Sequence, residues 1–318
     1  MSNDDTPVPA PGLQPIQELL PALKAPKTVR TRLFDLPFGD DEPAIVYQHS
    51  VLCQTCMPYR DPGVGVRTWE RSNGFASLVV VAGQAFDPAI KRFVNLALPF
   101  GPKPRLVLYH LNAEALRTQS PVIELEDSLT AFVKRTLGLD PKGRNIRIVK
   151  EQLSRFAAAD FRVGFERDGR GITLKGTVIS GFELWLPKDT QQRLLWPSTV
   201  QFSDVYFQSL MQHAVPLNET AISRLSHTAM GLDIYTWLAQ RLHRVDEGKS
   251  TLVPWPSLHD QFGQGYAQIR QFRWVFTRTL KQVQVVYPEA KFEVGSTGMR
   301  LRHSRPPVAR RLLPLGSE

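Results

Sequence analysis

The stretch that decides the fold is Tyr266-Ala-Gln-Ile-Arg-Gln-Phe-Arg-Trp-Val-Phe-Thr-Arg-Thr-Leu-Lys-Gln-Val-Gln-Val-Val-Tyr287. Its apolar residues recur at steps of three and four, which places them on one face of an α-helix. They are Ile269, Phe272, Phe276, Leu280, Val283 and Tyr287. A different face gathers Arg270, Trp274, Arg278 and Lys281, with Thr277 and Gln284 at its margin. Pro288 cannot continue a helix, so we expect the helix to end there.

The residues that follow this helix predict a β-hairpin. Phe292 and Val294, then Met299 and Leu301, alternate with period two about the turn at 295–298. Arg300 and Arg302 fall on the face opposite Met299 and Leu301. A basic helix followed by a basic hairpin is typical of the recognition helix and wing of a winged-helix DNA-binding domain. A solvated amphipathic helix that carries arginines by chance is the alternative.

The composition favours a soluble globular protein with a polyanionic partner. The chain has 318 residues, enough for two domains that each bury a core, and 42% of them are hydrophobic. Its net charge is +9 with a pI of about 9.7. From residue 262 onward ten Lys or Arg stand against three Asp or Glu, whereas residues 1–50 hold four against seven. Basic charge concentrated at one end indicates nucleic acid.

Targeting signals and cysteine usage predict a cytoplasmic location. No apolar run reaches the roughly eighteen residues that a membrane span needs, so no membrane partner is expected. The N-terminus is acidic and proline-rich, unlike a signal peptide. Two cysteines in a chain of this length suit a reducing compartment.

The first 99 residues are predicted to lie outside the two domains. Residues 1–44 hold eight prolines and predict a flexible tail. Residues 45–99 are expected to form an extension that packs on the first domain, with strands at 75–83 and 93–98. Cys53 and Cys56 have the spacing of half a zinc site, but no second cysteine pair completes it. We therefore predict two small buried residues and no metal.

Residues 100–187 predict a first winged-helix domain. The expected elements are helix 102–118, strand 122–126, helix 128–137, a basic third helix, and a long hairpin of strands 161–167 and 172–186. The third helix carries the apolar stripe Ile146, Val149, Leu153 and Phe156. Its outer arc holds Arg144, Arg147 and Ser154, and Lys150 lies beside the stripe as a snorkelling residue.

Residues 188–304 predict a second domain of the same kind. A polar crossover at 187–197 leads to an extended segment at 200–207 and to one long helix from about Asn218 to Val245. A strand at 251–255 follows, then a short helix at 258–262 capped by Ser257. The recognition helix and wing complete the unit, and residues 305–318 form a basic tail. The predicted fold class is thus α+β, with two tandem winged-helix domains.

The motifs of common enzymes do not occur in this sequence, so we expect a protein that is not an enzyme and that uses no cofactor. The glycine pairs at 138–143 and 164–169 lack the Lys-Ser/Thr of a phosphate-binding loop. No hydrolase elbow and no metalloprotease His-Glu-x-x-His occurs. Asp233 and Arg241 are interpreted as packing or surface ionic residues.

Several longer stretches resemble the plasmid-encoded RepA replication initiators. They are Leu52-Cys-Gln-Thr-Cys-Met-Pro-Tyr-Arg-Asp-Pro-Gly63, Arg67-Thr-Trp-Glu-Arg-Ser-Asn-Gly74, Leu98-Pro-Phe-Gly-Pro-Lys-Pro-Arg-Leu-Val-Leu108, Glu124-Leu-Glu-Asp-Ser-Leu-Thr-Ala-Phe132 and Ser226-His-Thr-Ala-Met-Gly-Leu-Asp-Ile-Tyr-Thr-Trp-Leu-Ala-Gln-Arg-Leu-His243. The resemblance runs from about residue 48 to 302. It implies an origin-binding protein that recognises repeated DNA sites on its plasmid and recruits host replication proteins, such as a helicase or initiator. It brings no catalytic residues.

Helical geometry assigns the DNA contacts. The residues expected nearest the bases are Gln268, Arg270, Gln271 and Trp274, with burial of Trp274 against a neighbouring domain as the alternative. Those expected at phosphates are Arg278, Lys281, Arg300 and Arg302. In the first domain Arg144 and Arg147 are expected to contact DNA. A homodimer paired through the long strand 172–186 would add control of plasmid copy number.

Two other functions stay open at this point. A transcriptional regulator would use the same two domains without recruiting a helicase. A protein-interaction scaffold would leave the basic face of the helix at 269–287 unexplained. Repeated sites beside an AT-rich stretch favour replication, and a single promoter palindrome favours regulation.

Overall fold

A computed structural model describes residues 44–73, 76–87, 90–125, 134, 143–167, 170–174, 177–185 and 196–308. Residues 1–43 of the predicted tail, the helix at 128–137 except residue 134, most of the crossover at 187–197 and the basic tail after residue 308 lie outside these residues. The described part has a mixed α+β architecture of small antiparallel sheets and helices. In it, no helix combines the length and apolar character that crossing a membrane requires.

The α-helices are α1 (Pro102–Thr118), α2 (Gly143–Ala158), α3 (Asp204–His213), α4 (Glu219–Leu225), α5 (Ala229–Arg241), α6 (Trp255–Phe262) and α7 (Ile269–Val286). A 3-10 turn at Leu242–Arg244 extends α5.

The strands are β1 (Ile45–His49), β2 (Thr68–Asn73), β3 (Ala76–Val81), β4 (Gln84–Asp87), β5 (Arg92–Asn95), β6 (Val122–Glu124), β7 (Asp160–Arg167), β8 (Arg170–Leu174), β9 (Ile179–Trp185), β10 (Trp196–Phe202), β11 (Ala214–Asn218), β12 (Ser250–Pro254), β13 (Phe292–Val294) and β14 (Gly298–Arg302).

The C-terminal residues adopt the helix and hairpin that the opening stretch predicts. Helix α7 ends at Val286, just before Pro288. Strands β13 and β14 pair in antiparallel register, with Phe292 opposite Leu301 and Val294 opposite Met299. Strand β12 joins the free side of β14, which gives the strand order β12-β14-β13. Helices α5, α6 and α7 complete this unit.

A second three-stranded sheet has the same strand order as the first. Its strands differ from the hairpin that the sequence predicts for the first domain. Strand β10 pairs with β6 on one side and with β9 on the other, in the order β6-β10-β9. The single strand expected at 172–186 is wrong, because it is divided into β8 and β9, which belong to different sheets. The long edge expected to pair two protomers is therefore absent as one element within the described residues.

The hairpin β7-β8 is instead part of a sheet with the N-terminal extension. Strand β3 pairs with β2 and with β7, giving the order β2-β3-β7-β8. Alternation along β3 buries Leu78 and Val80 against the body, as period two requires. Strand β1 pairs with β11, which precedes α4, so the extension also contacts the C-terminal half. Cys53 and Cys56 are both buried, as predicted.

The long helix expected from residue 218 to 245 is interrupted at Ser226–Thr228. Asn218 caps α4 by accepting a hydrogen bond from the Ala221 N–H at 3.0 Å. Thr228 caps α5 in the same way, with its Oγ1 accepting from the Gly231 N–H at 3.2 Å. A hydroxyl that satisfies a free amide starts a new helix, and this competition with the helix interior is not visible in apolar spacing.

Two neighbouring boundaries also differ from the prediction because of capping. The extended segment expected at 200–207 ends at Phe202, since the Ser203 Oγ accepts from the Tyr206 N–H and starts α3. The short helix expected to begin after Ser257 begins at Trp255, with Pro256 in its first turn. Proline is favoured in the first turn because its missing N–H has no partner there in any case.

A buried ion pair joins helix α1 to helix α5. The Arg105 side chain on α1 is 1% exposed and donates to both carboxylate oxygens of Asp233 on α5, at 2.7 and 2.8 Å. Its remaining N–H groups donate to the backbone oxygens of Gly101 and Met57 at 2.6 and 2.7 Å. Burial alone would lower the pKa of Arg105, but the charge of Asp233 and its hydrogen bonds raise it. Asp233 is therefore a buried partner of Arg105 and not a surface residue.

Replacing Arg105 with Met should lower the free energy of unfolding by about 3–5 kcal/mol, because Asp233 would remain buried without a counter-charge. Urea denaturation measures this. The double change Arg105→Met with Asp233→Leu should recover part of the loss. The exposed i,i+3 pair of Arg117 with Glu114 is the control, and Arg117→Met should lower the free energy of unfolding far less than Arg105→Met. Equal small losses at the two arginines would contradict the role of the buried pair.

Acid should destabilise the fold through His49. Its Nδ1 accepts from the Val51 N–H at 3.2 Å and its Nε2 contacts the Ser209 Oγ at 2.9 Å. Burial, with a smaller contribution from His213, lowers the pKa of His49 to about 4. The unfolded chain has the ordinary value near 6.5, so it takes up the proton first as pH falls. The contribution of neutral His49 to the free energy of unfolding is therefore complete above about pH 6.5 and is lost progressively toward pH 4.

The variant His49→Gln should lose less stability than the wild type between pH 7 and 4. The difference approaches about 3 kcal/mol if the whole shift is removed. Denaturant titrations at several pH values isolate it, since the carboxylates contribute equally in both proteins. Parallel pH profiles for the two proteins would show that His49 is not the titrating group.

Candidate nucleic-acid interface

One face of α7 is exposed and carries the residues predicted to contact DNA bases. Gln268, Arg270, Gln271 and Trp274 are all exposed, and Arg278 continues the same face one turn later. Trp274 is 64% exposed, so the alternative that it is buried against a neighbouring domain does not hold. These five side chains form what we call the α7 face.

The opposite face of α7 is fully buried, so the helix is held rigidly. Phe272, Phe276, Leu280 and Val283 have no solvent exposure. The rings of Phe272 and Phe276 lie at 6.3 and 6.0 Å from the ring of Trp255, in edge-to-face geometry. Such contacts fix the rotation of the helix about its axis and therefore the direction of the α7 face.

Ile269 departs from the apolar stripe to which the sequence assigns it. It lies in the first turn of α7 and is 43% exposed. The aromatic packing begins at Phe272, one turn later, so the helix start extends past the core. An exposed aliphatic side chain beside Arg270 is an apolar element that periodicity could not distinguish from core.

Two arginines of α7 lie on tryptophan rings, but with different exposure. The guanidinium of Arg278 lies 5.5 Å from the ring centre of the exposed Trp274. That of Arg273 lies 4.8 Å from the ring centre of the buried Trp255. Arg273 therefore contributes to packing, whereas Arg278 and Trp274 form an exposed cation–π pair.

The turn of the β13-β14 hairpin is held by contacts with its backbone atoms. The Trp255 Nε1–H donates to the Gly295 oxygen at 3.0 Å. A Cβ built on Gly298 would lie 2.2 Å from the Val253 oxygen, so this position requires glycine. The turn is consequently held beside the start of α6.

The two arginines of strand β14 are exposed to different extents, and each has a side-chain partner. Arg300 is half-buried and donates to the Ser250 Oγ at 3.0 Å. Arg302 is exposed and pairs with Glu293 at 2.8 Å, which offsets part of its charge. Lys281 on α7 is half-buried. The sequence could not show the pairing with Glu293, because it depends on strand register.

Helix α2 carries a smaller exposed basic surface than α7. Arg144 and Arg147 are exposed, as predicted, and Lys150 is half-buried beside the buried Val149. Ser154, which the sequence placed with the two arginines, is buried. Ser154 is buried because α1 and the β6-β10-β9 sheet pack over a wider face of α2 than its apolar stripe.

Ligands for a metal ion do not gather anywhere in the described residues, where no group of three or more His, Cys, Asp or Glu could hold one. The two cysteines lie in the core. Burial raises the pKa of the Cys53 and Cys56 thiols, which favours the neutral form.

The family of the chain follows from a comparison with known proteins. A family model described as plasmid encoded RepA protein matches residues 98–256, which is half of the chain. The chain belongs to the plasmid-encoded RepA family. This confirms the resemblance found in the sequence and makes the protein a member of a family of plasmid replication initiators.

The solved structures offer only distant similarities. The crystal structure of domains 2 and 3 of RctB superposes on this chain with a TM-score of 0.49 and 9% sequence identity. The match covers 80% of this chain and 96% of the RctB chain. The selenomethionine derivative of the same domains matches with 9% sequence identity and a TM-score of 0.47. That match covers 79% of this chain and 95% of the RctB chain. No curated protein matches this RepA protein.

Proposed function

We propose that this RepA protein initiates plasmid replication by binding specific double-stranded DNA sites through the α7 face. The observation that carries the proposal is one helix with two opposite surfaces. Its buried side is closed by aromatic packing, and its exposed side offers Arg270, Gln271, Trp274 and Arg278. A rigid helix with exposed Arg and Gln near its N-terminus is suited to reading base edges in the major groove.

The two helical units are inferred to be tandem winged helices. Supporting this, both sheets have the order first, third, second strand, as in β6-β10-β9 and β12-β14-β13. Each sheet is accompanied by a preceding helix, α1 or α5, and by a basic helix, α2 or α7. The sequence places the boundary between the two domains at residues 187 and 188. Because β10 pairs with β6 and β9, we propose instead that the first unit runs from about residue 100 to 202 and the second from about 229 to 304, with α3, β11 and α4 between them.

Base contacts and phosphate contacts divide along α7. Arg270 and Gln271, with Gln268 at the helix start, match the bidentate groups that read guanine and adenine. Arg278, Lys281 and the wing residues Arg300 and Arg302 lie farther along and are assigned to phosphates, which position the protein without reading sequence. In the first unit Arg144 and Arg147 add a second contact with the DNA.

The initiator role rests on family membership together with this surface. We propose that the protein binds repeated sites at the plasmid origin in the cytoplasm, without catalysing a reaction itself. Binding would position it to recruit host replication proteins. Self-association between protomers would reduce the DNA-competent form by mass action and so regulate plasmid copy number.

Footprinting on the DNA that flanks the gene tests the function. The wild-type protein should protect several repeated sites beside an AT-rich stretch. A single protected palindrome at a promoter would indicate a transcriptional regulator instead. No protected site at any moderate salt concentration would contradict DNA recognition altogether.

The variant Arg270→Ala should lower affinity for a repeat by about 1–3 kcal/mol and relax the preference at one base pair. Competition binding with repeats changed at each position measures both effects. Arg117→Ala, on exposed α1 surface, is the matched control and should leave binding unchanged. An unaltered base preference in Arg270→Ala would remove this residue from the reading surface.

Arg278→Gln should weaken binding to all DNA sequences alike. The slope of log affinity against log salt should become shallower by about one unit, because one fewer counterion is displaced. Titrations at several salt concentrations with a specific and an unrelated duplex provide the measurement. If the loss appeared only for the specific duplex, Arg278 would read bases and not phosphates.

A further inference from the structure

We propose that the β4-β5 hairpin is a binding site for single-stranded nucleic acid, in which Phe86 and Phe93 stack against unpaired bases. This site is separate from the α7 face and does not depend on duplex recognition. The hairpin is the one place in the described residues where two aromatic rings form an exposed pair on a sheet surface.

The two rings are adjacent by strand register. Phe86 on β4 lies directly opposite Phe93 on β5. Their ring centres are 5.6 Å apart, in edge-to-face geometry. Phe86 is 46% exposed and Phe93 is 67% exposed. Most of the phenylalanines whose burial the structure describes are buried, so two large apolar rings left in solvent indicate a binding surface.

The other face of the hairpin anchors it to the body of the protein. Ala85 is buried and its cross-strand partner Val94 is half-buried. The Arg67 guanidinium donates to the Leu96 and Ala82 oxygens at the base of the hairpin. Gly83 lies against the end of α2, where a Cβ would be 1.6 Å from the Ala158 oxygen. The rings are therefore presented on a fixed support.

The polar groups around the rings suit a nucleic acid. Gln84 and Asn95 occupy the same face as the rings, and the Gln84 Nε2–H donates to the Asn95 Oδ1 at 2.9 Å. These exposed amides can exchange hydrogen bonds with base edges. Lys91 is exposed in the turn of the hairpin, whereas Arg92 lies opposite Asp87 on the other face from the rings. Exposed aromatic rings with a nearby cation such as Lys91 are elements with which proteins bind single strands.

A second copy of the chain fits this surface less well. A stable protein interface buries about 800 Å² on each partner. The hairpin exposes Phe86, Phe93 and Ile90 as its large apolar side chains, which together cover only part of such an area. Bases need no more apolar area than this, because each ring stacks on one base.

The test measures binding of the full chain to fluorescein-labelled oligothymidine of about twenty nucleotides, longer than a single-strand site usually requires. The variant combines Phe86→Leu with Phe93→Leu, which keeps apolar bulk but removes the π faces. We expect its affinity to fall at least about tenfold, the loss that two stacking contacts predict. Binding to the duplex repeat should stay unchanged.

Three controls make the result specific. Val64→Ala removes an exposed apolar side chain outside the hairpin and should leave oligothymidine binding unchanged. An oligonucleotide of the same length with abasic sites keeps the phosphates but should bind at least about tenfold more weakly, since it offers nothing to stack. Phe93→Trp should retain binding, because indole stacks as well as phenyl.

Several outcomes would overturn the proposal. One is equal affinity of the leucine variant and the wild type for oligothymidine, and another is equal affinity of the wild type for the abasic strand. A change from dimer to monomer in the leucine variant, seen by sedimentation, would make the hairpin a contact between copies. If the double variant did not fold, Phe93→Leu alone would carry the test, because this side chain lies mostly in solvent. Loss of duplex binding alone would concern the α7 face and leave the hairpin untouched.

Discussion

The buried pair of Arg105 and Asp233 is the interaction on which the arrangement of this protein depends. Removing a guanidinium and a carboxylate from water is costly, and the geometry must compensate for it. Here the two charges meet through two short hydrogen bonds, and backbone oxygens of Gly101 and Met57 take up the remaining donors. The helices that carry the charges, α1 and α5, precede the sheets of the two units. The pair therefore links the units and the N-terminal extension in one contact.

The α7 face follows from a separate constraint, the aromatic packing beneath it. The Trp255 ring makes edge-to-face contacts with Phe272 and Phe276, and its Nε1–H donates to the Gly295 oxygen in the β13-β14 turn. Helix α7 and the β13-β14 turn are thus positioned by the same residue. This leaves Arg and Gln side chains of α7 in solvent above a closely packed core. The chain belongs to the plasmid-encoded RepA family, and we propose that this surface binds the DNA at which replication starts.

Local patterns predicted α1, α7 and the β13-β14 hairpin well, because apolar spacing, Pro102 and Pro288 are signals within one element. They failed where a distant partner decides. The 172–186 strand divides because β9 pairs with β10, and the long helix breaks because Thr228 competes for the amide of Gly231. Arg105 and Asp233 are separated by 128 positions, so the residues around either one do not predict that the two pair. The exposure of Phe86 and Phe93 depends on which face of the hairpin packs, and alternation alone leaves that choice open.

The central claim is that the N-terminal half of α7 lies in the major groove of a specific site. Because Cys53 and Cys56 are buried, a cysteine introduced by Gln271→Cys can be labelled selectively with an iron chelate that cleaves nearby DNA. The account predicts cleavage confined to a few nucleotides within each repeat. The same label at Arg117→Cys, on exposed α1, should give none. Cleavage from the α1 position but not from Gln271→Cys would contradict the account.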